Sequence, residues 1–339
     1  MKSFKLFLVA FASSVFFVSC SKDESTVYNG TGNYANGILV VNEGDDTNST
    51  VSFIKNNFSS VIGNIYGLEN NSDALGGYVQ SIFFDGDNAY VLSGKANTIT
   101  VVNRTTFKMV AKISTGISAP RYGVVYNGKA YVTNFNNPLN ATDDFIAVID
   151  LATNLIESTI NLNAIGNKII LNNGKLYVTN GDYDQGNTVQ IIDPATNSVV
   201  KTLDMGMGMS PNSFEEENGK LYVLAGYYAE ASKLVVIDLS TDTIVNTINF
   251  TDGMVNAQNL NVENDTIYFT IGSKVYDEVM GTTSISDTPL FTSTALYLYG
   301  FTVKDNIIYI ADAKNFITPG NALIYTNTGT LLYQVQVGL

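Results

Sequence analysis

The chain has 339 residues, of which 45% are hydrophobic and only 14% are charged, so it can form a large core and global disorder is excluded. Its abundance of Asn, Thr, Gly and Tyr favours short strands and polar turns over helices. The formal net charge of −13 disfavours a nucleic-acid partner, and the absence of histidine excludes Ser-His and Cys-His nucleophiles and nearly all zinc sites.

The N-terminus has the pattern of a bacterial lipoprotein signal. Two lysines precede an apolar run over residues 6–18, which as a helix would span only ~20 Å, too short for a bilayer core of ~30 Å. The run ends at Ser19-Cys20, which resembles a lipobox; the alternative is an ordinary cleavage site followed by a buried free cysteine. We therefore predict a signal peptide over residues 1–19, with Cys20 lipidated.

The residues that follow resemble an export signal. Residues 20–25 are Cys-Ser-Lys-Asp-Glu-Ser, similar to the Cys-X-Lys-(Asp/Glu)-(Asp/Glu) signal of Bacteroidetes lipoproteins on the outside of the outer membrane. The resemblance implies an outer-membrane lipoprotein that faces the cell exterior and is held by its N-terminal lipid. Because residues 25–36 are rich in Ser, Asn, Gly and Thr, we expect residues 20–36 to comprise the lipidated cysteine and a flexible tether.

The remaining residues, 37–339, contain a repeat of about 45 residues. The segment YNGKAYVTN at residues 126–134 recurs as NNGKLYVTN at 172–180 and as ENGKLYVLA at 217–225, and weaker copies flank them. The aligned tyrosines are spaced by 41, 46, 45, 46 and 41 residues and are Tyr90, Tyr131, Tyr177, Tyr222, Tyr268 and Tyr309. A degenerate copy at residues 36–42 brings the total to seven.

A second unit follows these copies. In residues 145–160 and 188–203, alternating β-branched residues flank an Asp-X-Ala-Thr-Asn turn, a pattern that predicts a hairpin because Asp and Asn bond their own backbone in tight turns. One repeat is therefore four strands. Seven repeats predict an all-β, seven-bladed β-propeller with four-stranded antiparallel blades. A solenoid is the alternative, but it would need polar terminal caps, whereas the terminal copies are apolar.

Two blades deviate from the pattern. Blade one lacks an evident inner strand before Gly37: either Val27-Tyr28 supplies it, or the chain end at residues 335–339 crosses over to close the ring. Blade six has only residues 271–273 between its middle strands, so a short blade is predicted there.

The repeats resemble a known family. The Tyr-Val-Thr-Asn tetrapeptides at residues 131–134 and 177–180, together with the V-I-D-X-A-T-N units, resemble the YVTN family of seven-bladed propellers. With its lipoprotein start and Asn-Glu-Gly at residues 42–44, the chain is also similar to the YncE-like surface lipoproteins of Bacteroidetes, a group that includes the cobalamin-binding BtuG. This resemblance implies capture of cobalamin or a similar nutrient for a TonB-dependent transporter. No loop motif carries that group's ligand contacts over to this chain.

The variable loops are the expected binding surface. Connections between the second and third strands, and between blades, share one end of a propeller and vary in length here. They contain many aromatic and amide groups, and acidic residues outnumber basic ones in them. The predicted ligand-binding residues are Tyr78, Arg121, Tyr122, Asn134, Phe135, Asp182, Tyr183, Tyr227, Tyr228 and Phe316. For Tyr122, as for Tyr297 and Tyr299, packing between blades is the alternative to ligand contact.

Two further loop features have a structural and a functional interpretation. The Asp-Asp pairs at residues 45–46 and 143–144 and the Asp-Tyr-Asp triplet at 182–184 suggest Ca²⁺, but none has the spacing of a twelve-residue calcium loop, so we predict solvated carboxylates and no metal or cofactor. The alternating methionines of residues 205–209 form either an adaptable apolar surface or a buried loop.

Three function classes remain. The first is capture of a nutrient such as cobalamin, because flat aromatic rings and carboxamides suit a large, amide-bearing ligand. The second is an adhesion or interaction module that binds protein or glycan at the cell surface. The third, an enzyme of propeller fold, is disfavoured because the sequence has no histidine, P-loop, dinucleotide fingerprint or nucleophile elbow. We predict a non-enzymatic binding protein.

Overall fold

The computed structural model describes residues 15–16, 31–137, 140–182 and 185–339. Cys20, most of the predicted signal peptide, the first part of the tether and Tyr183 lie outside these ranges. Among the described residues, the model has no helix with the length and apolar character needed to cross a membrane.

The described residues form seven four-stranded sheets, one per blade, in chain order. Blades one to three comprise β1 (Val15–Phe16), β2 (Gly37–Asn42), β3 (Thr50–Lys55), β4 (Val61–Ile62); β5 (Val79–Asp85), β6 (Asn88–Ser93), β7 (Thr98–Asn103), β8 (Met109–Ile113); and β9 (Pro120–Tyr126), β10 (Lys129–Asn134), β11 (Phe145–Asp150), β12 (Leu155–Asn161). Blades four and five comprise β13 (Ile169–Asn172), β14 (Lys175–Asp182), β15 (Gln185–Asp193), β16 (Ser198–Asp204); and β17 (Pro211–Glu217), β18 (Lys220–Tyr227), β19 (Glu230–Asp238), β20 (Thr243–Asn249). Blades six and seven comprise β21 (Gln258–Glu263), β22 (Thr266–Ile271), β23 (Lys274–Val279), β24 (Phe291–Thr292); and β25 (Leu298–Lys304), β26 (Ile307–Asp312), β27 (Asn321–Thr326), β28 (Leu331–Gln336). One short helix, α1 (Ile65–Glu69), lies between blades one and two.

The predicted turns have the expected backbone conformations. At Asn127-Gly128 and Asn173-Gly174 both residues have positive φ, between 48° and 74°, as the two-residue turn of a twisted hairpin requires. In the outer hairpin of blade three, Asp150 Oδ1 accepts a hydrogen bond of 2.7 Å from the backbone N–H of Thr153. Local sequence therefore accounts for the tight hairpins, and for the fact that the variable loops all lie at the other end.

The core is divided among the interfaces between neighbouring blades. Each of seven apolar clusters draws side chains from two adjacent blades, and the last joins Tyr309 and Ile324 of blade seven to Ile38 and Ile54 of blade one. An apolar contact between the first and last blades requires a closed ring. The seven-bladed propeller is thus confirmed and the solenoid alternative is wrong.

The chain end also contributes to ring closure. The Leu339 carbonyl accepts a hydrogen bond of 2.7 Å from Gly44 N–H, and Gly338 N–H donates to Asn42 Oδ1 at 3.1 Å. The chain end thus reaches blade one, as one of the two alternatives predicted, although residues 335–336 belong to the outer strand of blade seven. The other alternative, Val27-Tyr28, lies outside the described residues. Within blade one, β1 pairs in parallel with β2.

Blade six is the irregular blade, as the sequence predicted. A tight turn, residues 272–273, joins β22 directly to β23, and the fourth strand has only two residues. Blade six therefore contributes no long loop between its second and third strands.

Candidate functional site

The inner strands surround a central cavity of about 360 Å³. A volume of this size falls within the range of small-molecule sites. All seven blades contribute to its wall, and one position recurs in it: the residue ten places before the blade tyrosine. In blades two to seven this position is occupied by Gln80, Arg121, Asn167, Asn212, Gln258 and Tyr299, all of which line the cavity. We call these six residues the channel ring.

Arg121 is the cationic member of the channel ring. Its guanidinium lies over the ring of Phe135, 4.8 Å from the centroid, and Nη2 is 3.5 Å from Asp182 Oδ1. Both charged side chains are only 17% exposed. Arg121 and Asp182 therefore share one long contact and do not form a bidentate ion pair. The Nε of Arg121 is buried and has no hydrogen-bond partner in the part of the chain that the structure describes.

Asn167 places an acceptor on the neighbouring part of the wall. Its Nδ2 donates to the Gly181 carbonyl at 2.7 Å, which fixes the amide beside Asp182. Asn167 is 6% exposed, and its Oδ1 is buried without a partner among the described residues. Buried polar groups are nearly always hydrogen-bonded, so the unused donor on Arg121 and the unused acceptor on Asn167 make this wall a candidate for a hydrogen-bonded ligand group or an ordered water.

Burial raises the carboxyl pKa of two aspartates, one in the cavity wall and one behind it. Asp144 is 1% exposed, and desolvation raises the pKa of its carboxyl to about 6, although Oδ2 accepts a hydrogen bond of 2.7 Å from Gly166 N–H. Burial also raises the pKa of Asp182, and the charge of Arg121 partly offsets that rise. Asp182 lines the cavity, whereas Asp144 lies behind the wall.

Blade seven carries an exposed group of rings, which we call the aromatic rim: Tyr297, Tyr299 and Phe316. Phe316 packs edge-on against both tyrosines, with centroids 4.7 and 5.4 Å apart, and each ring is about half exposed. The Asp312 carboxylate fixes this loop because Oδ1 accepts from Tyr297 N–H at 3.0 Å. The Tyr299 hydroxyl donates to the Glu43 carboxylate of blade one.

The other predicted aromatic residues lie around the same end. Tyr227 lines the cavity and packs perpendicular to Tyr228, 4.7 Å between centroids, with Tyr228 61% exposed. Tyr78 is 39% exposed, and a hydrogen bond to Asp46 raises the pKa of its hydroxyl. Tyr122 lines the cavity and also packs into the cluster between blades three and four. Both alternatives, a position open to a ligand and packing between blades, therefore hold for this residue.

Asn134 does not face the cavity. It is 0% exposed, its Nδ2 donates to the Val132 carbonyl at 2.8 Å, and its Oδ1 accepts from Ser118 N–H at 2.9 Å. Its amide is used to hold the backbone of blade three, so we remove Asn134 from the candidate ligand contacts. The methionine run is divided: Met205 and Met209 are buried, and Met207 is 94% exposed.

Sequence reasoning missed Asn167 and most of the channel ring. Variation in length and composition singles out the loops, whereas the ring residues lie at the start of the inner strands or, for Asn167, just before one, inside the repeat. The constant offset of ten residues from each blade tyrosine was a usable signal. No set of three or more Cys, Asp or Glu side chains in the described ranges is arranged to hold a metal ion.

The chain belongs to the family described as domain of unknown function DUF5074, whose model matches residues 36–328. No curated protein is significantly similar to the chain in sequence.

Solved propellers resemble its fold at low identity. A quinonprotein alcohol dehydrogenase-like protein from Bacteroides thetaiotaomicron has a TM-score of 0.66 at 14% identity, over 91% of this chain and 77% of that one. BamB from Moraxella catarrhalis has a TM-score of 0.55 at 14% identity, over 90% and 84% of the two chains. Hydrazine synthase from Kuenenia stuttgartiensis has a TM-score of 0.58 at 14% identity, over 75% of this chain and 85% of that one. At this identity the likeness shows the fold alone.

Proposed function

We propose that the protein is a cell-surface lipoprotein that captures a small polar ligand at the variable-loop end of its central channel and passes it to a TonB-dependent outer-membrane transporter. The observation that carries the proposal is the cavity itself. Its wall is built by all seven blades and holds a buried donor on Arg121 and a buried acceptor on Asn167 that no described residue satisfies. The resemblance at the N-terminus supports the cell-surface location.

Cobalamin is the first ligand to test. Its flat ring system and peripheral amides match a cavity that combines aromatic side chains with carboxamides, such as Tyr227 and Asn212. A cavity of about 360 Å³ admits one edge of so large a ligand, and the aromatic rim would contact the part that remains outside.

We propose a binding role without catalysis. The channel ring consists of carboxamides, one tyrosine and one arginine, groups that bind ligands but exchange protons poorly near neutral pH. Asp144, whose pKa is raised to about 6, does not line the cavity, and Asp182, which does, lies beside the Arg121 guanidinium, whose charge opposes the rise in its pKa. The solved propellers above include an enzyme, hydrazine synthase, so the fold does not distinguish binding from catalysis. The side chains of the cavity support the binding role.

The test is gel filtration of residues 26–339 with excess cyanocobalamin, followed by visible absorbance. We expect the chromophore to elute with the protein. The Tyr227→Ala variant should bind about tenfold more weakly, because loss of one aromatic contact removes about 1.5 kcal/mol. Tyr333→Ala is the matched control, since Tyr333 lies on the outer strand of blade seven. Tyr183, outside the described residues, is tested in the same way.

An adhesion module is the second candidate, and the aromatic rim favours it. Leu296 and Ile317 beside the rim are both 79% exposed, which places five apolar or aromatic side chains on one surface of blade seven. Absence of chromophore from the protein peak, together with retention on a glycan or surface-protein array that Phe316→Ala abolishes, would favour this role over nutrient capture.

A further inference from the structure

The channel ring has an unusual chemistry for an acidic protein. Four of its six members are carboxamides, namely Gln80, Asn167, Asn212 and Gln258, and none is a carboxylate. A carboxamide both donates and accepts hydrogen bonds and carries no charge. The ring is therefore suited to a neutral ligand with several polar groups around its edge.

We propose that the wall formed by Arg121, Asn167 and Asp182 is a subsite for a primary carboxamide of the ligand. The proposal rests on the proposed function, because it names the ligand group that the captured molecule must carry. In this arrangement the ligand carbonyl accepts from Arg121 Nε, and the ligand NH₂ donates to Asn167 Oδ1. These two atoms are the buried, unsatisfied donor and acceptor of the wall within the described part of the chain.

Charged ligand groups fit this wall less well. A carboxylate could bind Arg121 or Lys168 but would lie beside Asp182, whose side chain is 3.5 Å from the guanidinium, in a cavity that Glu43 and Glu215 also line. An ammonium or amidinium could bind Asp182 but would meet Arg121 and Lys168, which also lines the cavity. A neutral amide meets neither repulsion, and it satisfies a donor and an acceptor at once.

The flat surroundings favour an amide attached to a planar or apolar body. The face of Phe135 is already covered by the Arg121 guanidinium at 4.8 Å, so this ring positions the arginine. Tyr122 lines the cavity next to Arg121, and Lys168 Nζ lies 5.9 Å from its ring centroid. An amide carried on a ring would thus contact Tyr122 while its polar end reaches the wall.

Three simple probes separate the alternatives: benzamide, benzoate and benzamidine, which share a ring and differ in one group. Their binding to the full-length protein is measured by saturation-transfer NMR titration. We expect benzamide to bind best, and Arg121→Gln to weaken it at least about fivefold, since a charge-assisted hydrogen bond is lost. Asn167→Asp should shift the preference toward benzamidine by adding a carboxylate to the wall.

Arg104→Gln is the matched control. Arg104 also lies over a phenylalanine, 4.6 Å from the Phe84 centroid, but it bonds the Gly86 carbonyl in the short turn at the other end of blade two. Benzamide affinity should be unchanged in this variant. Tighter binding of benzoate or benzamidine to the native protein, no detectable benzamide binding, or equal loss in Arg104→Gln would each overturn the subsite.

The subsite and the proposed function fail differently. Benzamide binding that depends on Arg121, with no cyanocobalamin in the protein peak, supports the subsite and rejects cobalamin as the ligand. Cyanocobalamin that stays bound with full affinity to both Arg121→Gln and Asn167→Asp supports nutrient capture and overturns the subsite. If Asn167→Asp does not fold, Arg121→Gln decides alone.

Discussion

Replacement of Asp144 by asparagine should stabilise the protein at neutral pH. Asp144 is 1% exposed, and burial raises the pKa of its carboxyl from 3.8 to about 6. Between these two values the folded chain holds a proton that the unfolded chain has lost, so the free energy of unfolding falls as pH rises through this window. At about 1.4 kcal/mol per pKa unit, the penalty above pH 6 is at most about 3 kcal/mol.

Asparagine removes that penalty and keeps the shape of the side chain. Its Oδ1 can still accept the hydrogen bond from Gly166 N–H, which is 2.7 Å long in the native protein. Urea unfolding at pH 8 should therefore show Asp144→Asn more stable by up to about 3 kcal/mol, and the difference should shrink toward zero below pH 4.

A control of opposite sign lies in the same blade. Hydrogen bonds from the backbone and hydroxyl of Thr153 hold the pKa of the Asp150 carboxyl below its ordinary value. Its charge therefore adds stability above that ordinary value, so Asp150→Asn should lower stability at pH 8 and lose this effect as the solution is acidified. The reasoning is refuted if Asp144→Asn is less stable than the native protein at pH 8, which would mean that the buried charge is paired, most directly with Arg121.

Two other predictions concern contacts between blades. Asp242, in the outer turn of blade five, accepts a hydrogen bond of 2.6 Å from the Tyr177 hydroxyl of blade four, so Asp242→Ala and Tyr177→Phe should each cost about 1–3 kcal/mol. A double-mutant cycle should show that the two losses are not additive; full additivity would contradict the contact. Gly123→Ala should cost about 1–3 kcal/mol, because the added Cβ would lie 2.5 Å from the Phe83 ring of blade two. Gly63→Ala, in open space, should leave the thermal midpoint unchanged or slightly raise it, and equal losses in both variants would rule out the steric explanation.

The architecture could be predicted from the sequence because its signals are local and repeated. The spacing of Tyr131, Tyr177 and Tyr222 sets the blade length, and Asn-Gly turns such as Asn127-Gly128 specify their hairpins through backbone conformation alone. Each strand needs only its own pattern and its immediate neighbour, so seven similar units predict seven blades before any long-range contact is known.

The candidate site was only partly predictable, because its contacts join different blades and are not repeated. Whether an amide holds the backbone or faces a cavity depends on what the neighbouring blade places against it. Asn134 and Asn167 are both asparagines of the repeat, yet the first has a hydrogen-bond partner on both Oδ1 and Nδ2, and the second has an unused acceptor. The contact of Arg121 with Asp182 joins residues 61 positions apart in different blades.

Burial of two loop residues could also not be predicted from the sequence. Asp144 and Met209 lie among loop residues that the sequence alone assigned to solvent or left undecided, and the packing of neighbouring blades buries both. Thus the local repeat determines that the chain forms a closed propeller with one variable end. Only the tertiary structure decides which polar groups at that end are already used by the protein and which remain for a ligand, because that depends on contacts between blades that no single repeat contains.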